Sequence, residues 1–361
     1  MLQKRKNALV RLFCCALVLM LLYSLFACKK GSDVPLSTGL SMIEGSPVYE
    51  DNVAMRTDNF IITPGMMAYF FYSYGATVMA QMQTVKPYDN TRSLHDQMYN
   101  EELSFYDVIM NETLYKVSQL LIYCEAARAE GTLMTREEYD KVEQTVEYYR
   151  VMAAADHGLT LEEYLTANYG KTVNEKDFVE ALQLEAWASG FSLVLKSRLE
   201  GEITQREAQE YASANGLEDE TLSRNIAYLH LPFEYGTAPE EKIAQVTSAM
   251  QKSPTEESLR ALSELGTVGV EKNMTPENSG IKAIGEWLFA EGRSVGDWGR
   301  IDLSGATYIL LYTENGISFG EASARMKLFD ASFASWYNGW VESLEFGYNY
   351  DCLDSYDIEK E

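Results

Sequence analysis

Cysteine, histidine and paired carboxylates are the side chains here that could do covalent, metal or acid–base chemistry. The chain has five cysteines and three histidines among 361 residues. Cys14, Cys15 and Cys28 crowd the N-terminus, while Cys124 and Cys352 stand far apart. No CxxC, HExxH or Cys/His cluster is present, which excludes the usual structural zinc arrangements. No GxSxG, GxxxxGK[ST] or GxGxxG occurs in a strand-to-helix setting, so the common nucleophile and phosphate-cradle motifs are absent. Neither a metal nor a cofactor is expected. Glu137/Glu138 and Glu162/Glu163 look like acid pairs, but each follows a threonine at helix-start spacing, which is capping chemistry. His157 precedes Gly158 near a helix end, where it favours the local dipole, and His95 lies in a helical or linker segment. Only His230 falls in a strand-like run, Asn225 to Leu231.

The whole chain is acidic: 54 Asp and Glu against 30 Lys and Arg, a net charge of −24. Such a surface repels phosphate, so nucleic acid is excluded as a partner. Apolar residues make up 46% and charged residues 23%, which excludes global disorder.

The N-terminus reads as an export signal. Lys4, Arg5, Lys6 and Arg11 precede an uncharged run from Leu12 to Ala27, too short for comfortable membrane spanning. Leu25-Phe26-Ala27-Cys28 resembles the bacterial lipobox, although Phe26 is bulky for its place. That resemblance implies a diacylglyceryl group on the Cys28 thiol and cleavage before it, with an uncleaved anchor helix as the alternative. Residues 1–27 are then a signal peptide, and 28–50, rich in Ser, Gly and Pro, a flexible tether.

The elements that must position any site follow. A strand signal ends at Ile62. Thr63-Pro64 then starts a helix whose stripe is Met67, Phe71, Tyr74, Val78 and Met82. Further helices are predicted over about 104–130, from Thr135, from Thr160, over 174–199 and from Thr204 to Gly216. Cys124 falls on the apolar stripe of its helix and reads as a core residue, with a disulfide to Cys352 as the alternative. After Ser223 the pattern changes. A strand over Asn225–Leu231, helices over 239–252 and 255–265, a short helix at 284–289 and a strand over Thr307–Tyr312 indicate a small α+β domain. Gly266 to Gly280 reads as a loop. A last helix begins at the Ser318/Glu321 box and carries Ala322, Met326, Phe329, Phe333, Trp336 and Trp340. That face is too apolar to stand alone and should be buried against the N-terminal helices.

This order of elements resembles the extracytoplasmic parvulin-type foldases, the PrsA lipoproteins of Gram-positive bacteria and the SurA chaperones. The resemblance is carried by Leu120–Gly131 with its Thr135 cap, by Arg224–Leu231 and Gly305–Leu311 as the first and last parvulin strands, and by Trp287–Val295 as the "F-x-L-x-x-G-x-x-S" segment. It implies an α+β, mostly helical protein, with a helical chaperone lobe built from both chain ends and a small degenerate parvulin-like lobe. The implied domains are 51–217 (helical chaperone), 218–316 (parvulin-like) and 317–361 (C-terminal helix packing on the first).

The family's two facing histidines align with Tyr228 and Tyr308. His230, two residues on and on the same strand face as Tyr228, is the surviving histidine only if the alignment slips. The alternative for both tyrosines is ordinary packing across a sheet. The family's glycine-rich stretch between these strands is missing. The implied function is a lipid-anchored foldase or chaperone on the outer face of a bacterial, Gram-positive cytoplasmic membrane. It would bind unfolded or nascent exported polypeptides with weak or absent prolyl isomerase activity. An active, divergent parvulin-type peptidyl-prolyl cis-trans isomerase is the first alternative, and a surface lipoprotein with one fixed protein partner the second.

Overall fold

A computed structural model describes residues 43–356 except 90, 218, 234–238, 277 and 304. The signal peptide, Cys28 and most of the expected tether lie outside the described residues.

The described chain opens with three short strands, β1 (Gly45–Pro47), β2 (Met55–Arg56) and β3 (Ile61–Ile62). Six α-helices follow, with a π-helical turn over Ala153–His157 after the third: α1 (Pro64–Val85), α2 (Phe105–Ala129), α3 (Arg136–Met152), α4 (Leu161–Tyr169), α5 (Glu175–Glu202) and α6 (Gln205–Ala214). Then come β4 (Leu222–Pro232), α7 (Glu240–Lys252), α8 (Glu256–Arg260), β5 (Thr267–Met274), α9 (Lys282–Leu288), β6 (Trp298–Leu303) and β7 (Ala306–Ser318). The chain closes with α10 (Phe319–Ser343), β8 (Phe346–Tyr348) and α11 (Tyr350–Leu353). The protein is α+β and mostly helical, with two four-stranded sheets.

Helix starts follow the local chemistry of the sequence. Thr63 accepts from the Met66 amide with Pro64 at the first helical position, where its missing N–H costs nothing. Reciprocal capping boxes start α2 (Ser104/Asp107), α3 (Thr135/Glu138), α4 (Thr160/Glu163) and α6 (Thr204/Glu207). Each ties up amides that have no partner in the first turn.

Within the described residues, 43–197 and 334–356 form one compact unit and 198–333 another. The divisions fall inside α5 and α10. The expected boundaries at 217 and 316 sit nearer the middle of the second unit than these do.

The first unit is built from both chain ends. Its sheet runs β1-β8-β2-β3, so the late strand β8 lies between early strands, parallel to β1 and antiparallel to β2. Residues 45–47 are therefore strand, where the sequence reads as tether. The Gly-Ser-Pro composition has no apolar pattern because β1 joins through its backbone, with Gly45 pressed against the Tyr348 ring. The core is aromatic and fully enclosed: Tyr69, Phe70, Phe71, Tyr74, Phe105, Phe178, Phe191, Phe346 and Tyr348. Two acids are buried with it. Glu125 accepts from Thr57 Oγ1 at 2.6 Å and from the Asn59 amide and side chain, which pins the β2–β3 turn to α2. Glu185 accepts from the hydroxyls of Tyr69 and Tyr74 at 3.1 and 2.8 Å.

In this unit Trp336 of α10 stacks on Tyr123 at 5.7 Å between ring centroids and lies against Phe191 at 6.3 Å. The expected burial of the whole α10 stripe does not hold. Phe329, Phe333, Trp336 and Trp340 are all half-buried, and the enclosed residues of α10 are Gly320, Glu321, Ala322 and Ala324 in its first turns. Small side chains there allow the close approach of α6, where Ala324 packs with Ala208 and Ala212. Cys124 is enclosed and free, and Cys352 is free.

The second unit holds an antiparallel sheet ordered β5-β4-β7-β6. Ala227, Leu229, Leu231, Ile309 and Leu311 point to one face, under Ile243, Val246 and Met250 of α7 and Leu259 of α8. Ile226, Leu310 and Tyr312 point to the other, under Ile284 and Leu288 of α9. Residues expected as the 266–280 loop contain β5. Glycine and the Glu271-Lys272-Asn273 run hide the strand signal, since neither suits an isolated strand.

Candidate functional site

Alternation along β4 sends Tyr228 and His230 to the α9-covered face together with Ile226. The ladder register then sets their neighbours. Tyr228 pairs with Gly269 of β5 and Leu310 of β7, and Leu310 pairs with Gly299 of β6. One step along, His230 pairs with Thr267 and Tyr308, and Tyr308 with Ile301. Two adjacent rows across four strands thus carry all three side chains singled out from the sequence.

The structure brings Tyr228, His230 and Tyr308 together. Tyr308 lies 4.8 Å from His230 and 5.7 Å from Tyr228 between ring centroids. The directly opposed pair is His230–Tyr308, and Tyr228 meets Tyr308 on the diagonal. All three are half-buried. Cys28, the expected lipid site, lies outside the described residues.

Two glycines shape the floor of this face. A Cβ at Gly269 would overlap the Tyr228 ring, and a Cβ at Gly299 would overlap the Trp287 indole. The rings lie across bare backbone at the two edge strands, covering what glycine leaves open. Arg293 sits over Trp287 at 4.2 Å, and Arg224 lies between the rings of Phe289 and Tyr312, 5.2 Å from each. Gly269, Gly299, Trp287 and Ile301 are site residues that sequence reading misses. The one available signal is the glycine interrupting Thr267-Val268-Gly269-Val270, which marks a close ring approach only when the partner strand is known.

The electrostatics favour neutral side chains. Burial pushes the Tyr228 hydroxyl up to about 12, and Glu271 and Tyr308 add to the shift. Burial, then Glu271, raises Tyr308 as well. Burial lowers the His230 imidazole, so it is neutral at physiological pH. Its Nε2 is enclosed and has no hydrogen-bond partner among the described residues. No hydrogen bond engages the Tyr228 or Tyr308 hydroxyl within the described residues either. The face therefore offers ring surface and two uncommitted tyrosine hydroxyls, while the enclosed imidazole Nε2 is not presented to a ligand. It can hold an apolar segment and hydrogen-bond its backbone, while no group pair here is arranged for acid–base transfer between partners.

No family model matches the chain, and no curated protein matches it. Among solved structures it is similar to PrsA from Bacillus subtilis at 13% identity, covering 68% of this chain and 84% of that one with a TM-score of 0.30. It is similar to foldase protein PrsA from Streptococcus pneumoniae at 14% identity, covering 67% and 88% with a TM-score of 0.28. A third likeness, to foldase protein PrsA from Lactococcus lactis, covers 82% and 91% at 11% identity and a TM-score of 0.20. These proteins are what the chain is similar to, and TM-scores this low carry no argument about its activity.

Proposed function

We propose that this protein is a lipid-anchored extracytoplasmic chaperone of the foldase type, which binds unfolded exported polypeptide and isomerises prolyl bonds weakly or not at all. The observation that carries the reading is the half-buried Tyr228/His230/Tyr308 face, whose two tyrosine hydroxyls have no partner among the described residues. Aromatic rings supply contact area at low entropic cost, and unengaged donors suit the carbonyls of an unfolded chain. Export and anchoring rest on the Lys4–Arg11 cluster, the apolar run and Cys28. Among the described residues no helix is long and apolar enough to cross a membrane.

Weak isomerase activity follows from what the face lacks. A prolyl bond has a barrier of about 18–20 kcal/mol that a catalyst lowers by twisting and desolvating the amide. Two high-pKa phenols and one neutral imidazole form no polar network around a twisted amide. Light scattering of two unrelated urea-unfolded proteins tests the chaperone reading: substoichiometric suppression of both is expected, and suppression of neither overturns it. The opposition of His230 and Tyr308 favours the second reading, a working isomerase with a divergent site. Exchange NMR on a short X-Pro peptide separates the two. The first reading expects a specificity constant well under roughly 10⁴ M⁻¹s⁻¹, the lower end of efficient enzymes.

A further inference from the structure

In the second unit's sheet β5 is an end strand, hydrogen-bonded to β4 alone. Beyond that ladder, the backbone of Thr267–Val270 makes no hydrogen bond among the described residues. On an antiparallel edge, alternate residues turn both N–H and C=O outward, which makes a template for another strand. Exposed β5 side chains include Thr267, Val270 and Lys272.

A cleft of about 440 Å³ borders this edge, lined by Val270 and Lys272 of β5 and by Asn225, Glu256, Arg260 and Glu314, among others. Val270 pairs with Ala227, which belongs to the core under α7 and α8. Val270, and Lys272 two positions on, thus point to the face opposite Tyr228 and Tyr308. The cleft is therefore separate from the aromatic face.

Its charges are unevenly committed. Arg260 is paired with Glu256 at 2.5 Å, and Glu314 accepts from Asn225 at 2.9 Å. Lys272 has no ion pair among the described residues. Glu314 stands on β7, two strands from Lys272 and three from a strand added at β5. At about 4.8 Å per strand that is roughly 14 Å, past a Debye length of about 8 Å. On this face β5 itself presents one charge, the Lys272 ammonium, with Val270 as the apolar neighbour; Glu271 between them is in register with Ile226 of the other face, and Glu256 and Arg260 of α8 are paired with each other. Asn273 ends the usable edge: its φ is +54°, and its amide is taken by Asn225 at 2.7 Å.

We propose that the open edge of β5 binds an extended polypeptide segment as an added strand, selecting one with an apolar residue and a carboxylate two positions apart. Val270 packs the apolar residue and Lys272 pairs with the carboxylate, as cross-strand neighbours do. The proposal rests on the reading that unfolded polypeptide is this protein's ligand, and it names a second contact for such a chain.

The test uses the full chain in detergent and a fluorescein-labelled, end-blocked peptide, Ser-Thr-Val-Thr-Asp-Thr-Ser. Two counterparts are included, one with lysine in place of the aspartate and one N-methylated at alternate residues. Fluorescence anisotropy should show the acidic peptide binding about tenfold more tightly than the lysine peptide. Lys272→Glu should reverse that order, which a merely damaged fold would not do, and N-methylation should abolish binding. Equal affinities for wild type and Lys272→Glu, or binding indifferent to N-methylation, would overturn the proposal. Light scattering separates it from the chaperone reading. Charge reversal without aggregation suppression upholds the β5 site and removes the chaperone reading. Suppression without charge reversal removes the β5 site and leaves the chaperone reading standing.

Discussion

Glu185 is a carboxyl enclosed in an aromatic core with two tyrosine hydroxyls as its hydrogen-bond partners. Burial pushes its pKa from 4.5 up to about 7, against the lowering effect of Tyr74 and Tyr69. Lys116 does not neutralise it directly; its ammonium lies over the Tyr74 ring at 5.1 Å, and burial lowers its own pKa. A folded-state value above the unfolded one means the folded protein holds the proton more tightly. The associated stability is present in full below about pH 4.5 and is lost as pH rises through about 7. At 1.36 kcal/mol per unit, the loss is about 3 kcal/mol. Thermal unfolding should show the midpoint falling from pH 5 to pH 8, and Glu185→Gln should flatten that fall. An unchanged slope in Glu185→Gln would assign the dependence elsewhere. Nothing in the sequence marks Glu185, which sits between Leu184 and Ala188 on a helix with polar positions on every turn.

Gly269 sits at the same scale. Gly269→Ala pushes a Cβ into the Tyr228 ring, and overpacking of this kind costs about 1–3 kcal/mol. Urea unfolding should show that loss in the single variant and much less of it when Tyr228→Ala is added, because the clash is then gone. Additive losses would mean the ring does not rest on Gly269.

Elements were readable where they carry their own signal. Capping boxes marked helix starts to within a residue, because a cap is a local contract between a hydroxyl, a carboxylate and three intervening positions. Strands β4 and β7 were visible as apolar runs. Strands β5 and β6 were not: each contains a glycine whose missing side chain is replaced by a ring from another element, Tyr228 on Gly269 and Trp287 on Gly299. The stripe of α10 misled in the other direction. Its spacing demands an apolar face but does not say how much of that face is covered, and its aromatics are only half-buried.

Trp336→Ala should therefore cost about 2 kcal/mol in chemical unfolding, under the roughly 3–5 kcal/mol of a fully enclosed ring. A loss at or above that range would show deeper burial than the stacking on Tyr123 and Phe191 provides. Truncation after Ser343 should be far worse. It removes β8 from the middle of its sheet along with Phe346 and Tyr348, which are 1% and 0% exposed. Loss of a cooperative transition in the first unit is expected, and a retained transition at the wild-type midpoint would contradict the sheet order.

At the scale of the molecule the order of elements was legible, whereas the divisions inside α5 and α10 were not, because a continuous helix carries no boundary signal in its sequence. The site was legible only in part. Tyr228, His230 and Tyr308 could be named, yet the opposition of His230 to Tyr308 depends on strand register, which apolar runs alone leave free by two residues. The net charge of −24 repels other anions over a range that salt shortens, so polypeptide binding by the proposed face should depend on ionic strength. Lipid on Cys28 would hold the binding face near the membrane, and mass spectrometry of the mature N-terminus from native membranes should find it. An unmodified Cys28 there would remove the anchoring proposal without touching the binding face.

The central claim is that unfolded polypeptide contacts the Tyr228/His230/Tyr308 face. Ring-carbon NMR of the ¹³C-tyrosine and ¹³C-histidine protein, with the three signals assigned from Tyr228→Phe, Tyr308→Phe and His230→Gln, measures that contact without disabling it. On titration with a reduced, carboxymethylated client, all three signals should shift together and saturate with one dissociation constant. Saturable client binding that leaves all three signals unmoved would contradict the account.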